Sequence, residues 1–174
     1  MACAAATAAA ALVAAGAGTA SAASPAHAAS IGKCTAADLG VWVDADQSNG
    51  TAGIIYYPLE ITNLSSSTCY LYGHPGVSAV TRTGHQLGKP AQWSPGTPKV
   101  VNLAPGATAH ALLEYFTVVI TPSCHLANAT QLKVYPPDQT SSASAFWDLA
   151  SCTTGRDYLA VGVIQPGPGT RNST

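Results

Sequence analysis

The sequence has few charged residues. Asp, Glu, Lys and Arg make up only 9% of its 174 residues, and the formal net charge is -1, whereas an average domain is roughly 25% charged. Such a chain offers no electrostatic field that would attract nucleic acid or an anionic membrane surface. Composition therefore argues against both partners, and Ser, Thr, Asn, Gln and the backbone must supply most of the surface polarity.

Residue types and spacings that bind metals are also scarce. The only methionine is Met1, and no C-x-x-C, H-x-H or H-E-x-x-H spacing occurs, which argues against a blue-copper centre and against a zinc site. Most of the histidines stand beside turn residues, where solvated histidines are common. We predict no metal and no cofactor, although four histidines were considered as ligands: His74, His85, His110 and His125.

Catalytic patterns are absent in the same way. The sequence has no G-x-S-x-G nucleophile elbow, and its serines cluster in loops without a recognisable His and Asp pattern. Glu60 and Glu114 are the carboxylates to consider for glycoside hydrolysis. Because Glu60 falls on the polar face of its strand, we interpret both as outward or strand-edge residues and predict no catalytic residue.

The N-terminus resembles a secretory leader. Residues 1–30 are rich in Ala and contain no Lys or Arg, and Ala26-His27-Ala28 is an A-x-A-like cleavage site. We predict a signal peptide over residues 1–28, an exported protein, and no transmembrane segment in the mature chain. The missing basic residues depart from the usual leader, and a disordered Ala-rich tail is the alternative.

Removal of the leader takes Cys3 and leaves four cysteines, Cys34, Cys69, Cys124 and Cys152. Four cysteines in an exported chain allow three pairings, and the sequence does not choose among them. We favour Cys34 with Cys69 and Cys124 with Cys152, because sequential pairing suits successive hairpins.

An alternating strand near the middle organises the chain. From 54 to 62 the odd positions are apolar and the even positions end in Glu60 and Thr62, which indicates a half-buried strand. Pro58 suggests an edge position or a bulge. The polar run 63–68 predicts a hairpin tip or a corner before extended structure resumes at Cys69.

Similar patterns predict further strands over 38–43, 99–103, 107–119 and 157–164, and around Leu132 and Val134. Asn49-Gly50 indicates a hairpin turn, Pro105-Gly106 a type II turn, and the serine-rich stretch 138–151 a loop. We predict an all-β antiparallel sandwich of about seven or eight strands over residues 29–165. Residues 166–174 should form a disordered tail.

Aromatic residues are the strongest candidates for binding. Four of them lie opposite the inward positions of their strands and would form an exposed strip if those strands were neighbours: Trp42, Tyr56, Tyr70 and Tyr72. Trp93, in a proline-rich loop with Lys89 and Lys99, is a second candidate. Such rings suit contact with cell-wall glycan or with a secreted or surface protein.

Several of these motifs together resemble the family known as domain of unknown function 4232. The resemblance covers about residues 34–165 and is carried by Thr62-Asn63, Cys69-x-Leu71-x-Gly73-His74-Pro75-Gly76-Val77, Leu103-Ala104-Pro105-Gly106, Cys124, Leu132-x-Val134-x-Pro136-Pro137 and Cys152. The family commonly has Tyr at the position of His74. The resemblance implies an exported actinobacterial protein with an immunoglobulin-like sandwich, and it implies no activity, ligand or catalytic residue.

We therefore expect a non-catalytic binding or structural module at the cell exterior. The alternatives are a secreted protease inhibitor, which would use a rigid exposed loop, and an enzyme that acts on cell-wall polysaccharide.

Overall fold

The computed structural model describes residues 30–51, 53–117, 124–154 and 157–170. The predicted signal peptide and the last four residues lie outside these ranges. Within these ranges the chain forms fifteen strands and one 3-10 turn, Ala36–Asp38, which lies between the first and the second strand. The strands are β1 (Gly32–Lys33), β2 (Leu39–Val43), β3 (Asn49–Thr51), β4 (Ile54–Asn63), β5 (Cys69–Tyr72), β6 (Gly76–Val80), β7 (Gln92–Trp93), β8 (Val100–Leu103), β9 (Thr108–Phe116), β10 (Leu126–Asn128), β11 (Gln131–Tyr135), β12 (Ala143–Phe146), β13 (Ala150–Cys152), β14 (Leu159–Val161) and β15 (Gln165–Pro166).

The largest sheet has seven strands, with β4 and β9 at its centre. Its main order is β2-β4-β9-β14-β7, with β3 added beside β4 and β15 beside β9. β4 is a central strand, paired with β9 on one side and with β2 and β3 on the other, but the second ladder is interrupted at Pro58, which gives this residue a local edge position. Pro58 is tolerated because it lies just where β2 has ended and β3 has not begun. Its carbonyl accepts a hydrogen bond from the Asp44 amide at 2.9 Å, and the missing N–H would have served the same side.

The facing layer consists of two three-stranded sheets, β1-β5-β8 and β12-β11-β6. Apolar residues from both layers share one core, which includes Leu59, Ala111 and Leu113 from the large sheet and Leu71 and Leu132 from the facing layer. The all-β sandwich is therefore confirmed. Two strand pairs, β1 with β5 and β7 with β14, are parallel, so the sandwich is mostly but not wholly antiparallel.

Fifteen strands exceed the seven or eight that the sequence predicts. The excess comes from short pieces such as β1, β7 and β15, each of two residues. Two residues carry no periodic pattern, so nothing in the local sequence marks them as strands.

The polar run after β4 forms a corner that takes the chain from the large sheet to the facing layer. Asn63 is fully buried there, and its side-chain amide donates to the carbonyls of Ser67 at 2.8 Å and Leu103 at 2.9 Å. Its carbonyl oxygen accepts from the Ser65 amide at 2.9 Å. One buried amide thus satisfies backbone groups from two connections.

The Pro105-Gly106 turn has the predicted type II form. Gly106 has φ 76°, and the Ala107 amide donates to the Ala104 carbonyl at 2.9 Å. The strand that follows is β9, and its four inward residues are buried as predicted: Ala109, Ala111, Leu113 and Tyr115.

Two other local predictions are wrong. Asn49-Gly50 does not form the hairpin turn, because both residues belong to β3 and pair with Tyr56 and Ile55 of β4. The serine-rich stretch 138–151 is not a loop throughout, since it contains β12 and the start of β13. β12 forms because it pairs with β11, and β13 forms because it pairs with β10.

The sequence predicts a disordered tail over residues 166–174, but the chain is ordered along the large sheet as far as residue 170, the last described residue. Gln165 pairs with His110 and Pro166 with Ala109, so the chain continues as β15 along the large sheet. The backbone then crosses the outer face of β4, where a side chain at position 169 would meet Pro58 Cβ at 2.5 Å. We call residues 165–170 the C-terminal strap.

Both disulfides have the favoured pairing. Cys34 is joined to Cys69 and Cys124 to Cys152, with Cα–Cα distances of 4.9 Å and 5.3 Å. Such bonds persist in oxidising compartments, so they are consistent with an exported protein. No helix in the described ranges has the length and apolar character needed to cross a membrane.

Candidate recognition surface

The four aromatic residues of the predicted strip do not come together. Trp42 and Tyr56 belong to the large sheet, where their register partners are Glu60 on β4 and Asn49 on β3. Tyr70 and Tyr72 lie on β5 in the facing layer, with Tyr72 opposite the exposed Val100. The continuous strip is therefore wrong, while ligand binding by each of these residues stays a prediction.

Trp93 is the most exposed tryptophan of the described chain, with 68% of its surface accessible. Its indole stacks on the His74 ring with a centroid distance of 5.2 Å and an interplanar angle of 12°. The backbone is held as well, because Trp93 pairs with Val161 in the large sheet. The ring is thus presented to solvent from a fixed position.

The next residue, Ser94, fixes the loop at three points. Its amide donates to the Val161 carbonyl at 3.0 Å, and its carbonyl accepts from His74 Nε2 at 2.9 Å. Its hydroxyl donates to the half-buried Glu114 carboxylate on β9. His74 therefore both stacks on the indole and bonds to the adjacent backbone, which determines its tautomer because a carbonyl can only accept.

A shallow polar cavity of about 220 Å³ lies beneath this loop. The loop 94–97 forms one wall, the chain after β14 forms another, and Glu114, Leu112 and His110 of β9 form the floor. Ser94, the residue after Trp93, belongs to the lining, whereas Trp93 and His74 do not. We call Trp93, His74, Ser94 and Glu114 the Trp93 platform.

Glu60 lies on the same outer face of the sheet but is covered. Only 1% of its surface is accessible, because the C-terminal strap packs over it. The prediction that Glu60 is an exposed outward or strand-edge residue is therefore wrong. The Gly169 amide donates to Glu60 Oε1 at 2.8 Å, and His110 Nδ1 donates to the Gly167 carbonyl at 2.8 Å.

The second carboxyl oxygen of Glu60, Oε2, is buried without a hydrogen-bond partner in the described residues. Burial raises the pKa of Glu60 above its ordinary value of 4.5, while the Gly169 hydrogen bond and the nearby His110 act to lower it. Desolvation is the larger effect, as expected for a carboxyl with one oxygen unsatisfied.

The register separates Glu60 and Glu114 along the two central strands. Glu60 faces His110 across the ladder and Glu114 faces Tyr56, so the register separates them by four residues, about 13 Å along the strands. Catalytic carboxyl groups stand roughly 5 to 9.5 Å apart. The Ser94 hydroxyl donates to a carboxylate, and its described partner is not an imidazole nitrogen.

The histidines considered as metal ligands lie in separate places. His74 belongs to the Trp93 platform and His110 to the strap contact, whereas His85 and His125 lie in exposed connections. No group of three or more His, Cys, Asp or Glu side chains in the described chain is arranged to hold a metal ion.

Together these features define a disulfide-bonded β-sandwich domain with a fixed aromatic platform on one sheet. The family model described as domain of unknown function (DUF4232) matches residues 34–165. The chain therefore belongs to this family, which confirms the resemblance. No curated protein and no solved structure matches the chain.

The sequence identified Trp93 but not the residues that hold it. His74 was interpreted as a turn residue, and Glu114 was considered only for catalysis. The stack brings together residues 19 positions apart, and the Ser94–Glu114 bond spans 20 positions. The Gly73-His74-Pro75-Gly76 turn is the one local signal that points to His74, because it fixes a ring beside a chain reversal.

Proposed function

We propose that this protein is a non-catalytic binding module that acts outside the cell and uses Trp93 as its principal contact residue. The observation that carries the proposal is an indole that is 68% exposed yet stacked, strand-paired and next to a residue bonded at three points. A large apolar ring held in one conformation binds with little loss of side-chain entropy.

The surroundings of the indole favour a cell-wall glycan as the partner. The exposed ring suits the apolar face of a sugar, and the cavity that begins at the next residue, Ser94, offers hydroxyl, carboxylate and imidazole groups for sugar hydroxyls. The low charge of the chain also suits a neutral ligand. Two disulfides support action outside the cell.

The distance between Glu60 and Glu114 supports the non-catalytic part of the proposal. Cleavage of a wall polysaccharide would require two carboxyl groups on either side of one bond. Here one carboxyl is covered by the strap and the other is engaged by Ser94.

The test is capture of the domain by purified cell wall, comparing wild type with Trp93→Ala. Trp42→Ala is the matched control, because Trp42 is a second exposed tryptophan, 44% accessible, on the edge strand β2. We expect Trp93→Ala to reduce capture at least about tenfold, the size of a central aromatic contact, and Trp42→Ala to leave it unchanged.

Failure of the wild-type domain to bind wall material would overturn the glycan proposal. Loss of capture in Trp42→Ala but not in Trp93→Ala would place the contact on the other tryptophan. Stoichiometric inhibition of a subtilisin-like or trypsin-like protease, lost in Trp93→Ala, would instead support the inhibitor alternative. Release of soluble sugar from the wall would contradict a non-catalytic role.

A further inference from the structure

A second cavity, of about 180 Å³, opens at the edge of the sandwich away from the Trp93 platform. The large sheet contributes Val43 and Tyr57, the end of β12 contributes Phe146, and the chain after β12 contributes Trp147, Asp148 and Leu149. None of these residues lines the cavity beneath the Trp93 loop. The two cavities are therefore independent sites.

Three aromatic rings form much of this cavity, and two of them are fixed by the core. Trp147 is 3% exposed and makes edge contacts with Tyr57 at 5.4 Å and with Tyr115 at 5.8 Å. Phe146 is the third ring and is 76% exposed, the largest value among the exposed apolar residues of the described chain. A deep pair of rings and an outer ring thus surround a small space.

The charge around the cavity is negative. Asp148 lies in its lining, is exposed, and makes no ion pair with any described residue. Asp44 and Asp46 flank the lining residue Ala45, and the Asp44 carboxylate is held in place by the amides of Asp46 and Gln47 at 3.1 and 3.2 Å. The described lining contains no Lys, Arg or His.

Rings and a carboxylate without a basic partner suit one class of ligand. An organic cation is attracted by the negative faces of aromatic rings and by a nearby carboxylate, whereas an anion is repelled by both. A quaternary ammonium group is the best match, because its methyl groups satisfy an apolar lining and need no hydrogen-bond acceptor. A primary ammonium could donate to the Asp148 carboxylate, but the apolar remainder of the lining would not replace the rest of its hydration.

We propose that this cavity, formed by Tyr57, Phe146, Trp147 and Asp148, binds a small quaternary ammonium cation of the choline type. Binding requires both the aromatic rings and the carboxylate, since the rings provide contact area and Asp148 selects a positively charged ligand. It does not depend on the glycan proposal, because no residue is shared.

The experiment is calorimetric titration of the full chain with choline chloride, compared with 3,3-dimethylbutan-1-ol at equal ionic strength. The alcohol has the shape of choline but no charge. We expect a dissociation constant on the order of 1 mM for choline, as for a ligand of this size. The neutral analogue should bind at least about tenfold more weakly, if contacts with the rings and carboxylate act together.

Two exposed variants separate the contributions without disturbing the core. Phe146→Leu keeps an apolar rim but removes the ring, and we expect it to weaken choline binding about threefold. Asp148→Asn keeps the shape and removes the charge, and we expect about a fivefold loss. Trp93→Ala is the control for a remote aromatic residue and should bind choline as wild type does.

Equal affinity for choline and its neutral analogue would overturn the proposal in favour of a merely apolar cavity. Absence of choline binding up to about 50 mM, well above the expected range, would overturn it outright. A loss in Trp93→Ala with none in Phe146→Leu would also contradict it, because the cation would then lie on the Trp93 platform.

Discussion

Glu60 and Glu114 lie on the same outer face of the two central strands, yet their surroundings are opposite. Glu60 is buried beneath the C-terminal strap, with one carboxyl oxygen bonded to Gly169 and the other without a partner. Glu114 is half-buried and accepts the Ser94 hydroxyl below an open cavity. One end of this face is closed by the chain terminus, and the other end holds a loop that presents an indole to solvent.

The contrast shows how a charge-poor sandwich can use its few carboxylates. At the strap, burial of the carboxylate costs free energy, and packing of the strap against Pro58 and β9 offsets it. At the Trp93 platform, partial exposure keeps the carboxylate hydrated while it orients Ser94. We therefore expect the Glu60 end to affect mainly stability and the Glu114 end to affect mainly recognition.

Removal of the strap should have the largest effect on stability. Deletion of residues 165–174 removes β15 and the hydrogen bonds to Glu60 and His110, and we expect the free energy of unfolding to fall by roughly 2 to 3 kcal/mol. Urea denaturation at pH 5 measures it. An unchanged free energy of unfolding after the deletion would show that the strap contacts carry no stability.

The pH dependence of the free energy of unfolding reports the ionisation of the buried Glu60 carboxyl. Because burial raises the pKa of Glu60 in the folded state, the folded protein holds a proton that the unfolded chain has already released. Its contribution to stability is thus fully present below pH 4.5 and is lost as the pH rises through the folded-state value.

We expect the free energy of unfolding of the wild type to fall between pH 4.5 and pH 8, because the pKa of Glu60 is raised in the folded state. Glu60→Gln should lack this fall, because an amide does not titrate in this range. The measurement is the difference in unfolding free energy between wild type and variant across that interval. A constant difference would show that the pKa of Glu60 is the same in the folded and the unfolded protein.

Removal of the Ser94 hydroxyl should have the smallest effect on stability. Ser94→Ala deletes one hydrogen bond to a partly hydrated carboxylate, and we expect a cost of about 0.5 to 1 kcal/mol. Capture by cell wall should fall several-fold, since the loop beside Trp93 is less restrained. Glu114→Gln retains an acceptor for the hydroxyl and should retain more binding than Ser94→Ala. If Ser94→Ala is captured as well as wild type, the hydrogen bond that restrains the loop beside Trp93 does not contribute to cell-wall binding.

Strands with a full alternating pattern were predictable, and so were turns fixed by backbone chemistry. β4, β9 and β11 were identified by their apolar positions, and the Pro105-Gly106 turn by the conformation that Gly allows. β12 was not, because Ala143–Phe146 alternates too weakly to stand out from a serine-rich loop. Pairing with β11 supplies what the local sequence lacks.

The candidate sites were predictable only in part. Trp93 was singled out as an exposed aromatic residue, but the aromatic strip failed because Tyr70 and Tyr72 lie in the other layer. Phe146 and Trp147 were assigned to a loop, and their relation to Tyr57 depends on how β12 approaches β2 and β4. Residues 90 positions apart cannot be joined by any local pattern.

The sequence by itself determined the all-β class and the family, since alternation and turn motifs are local properties of the chain. The four cysteines allowed three pairings, and the tertiary structure selected Cys34 with Cys69 and Cys124 with Cys152. The tertiary structure decided which side of each strand is covered. Glu60 reads as polar and outward from periodicity alone, and it becomes buried only because the strap crosses the sheet 109 residues later in the chain. Alternation fixes the two faces of a strand, but only packing determines what lies against each face.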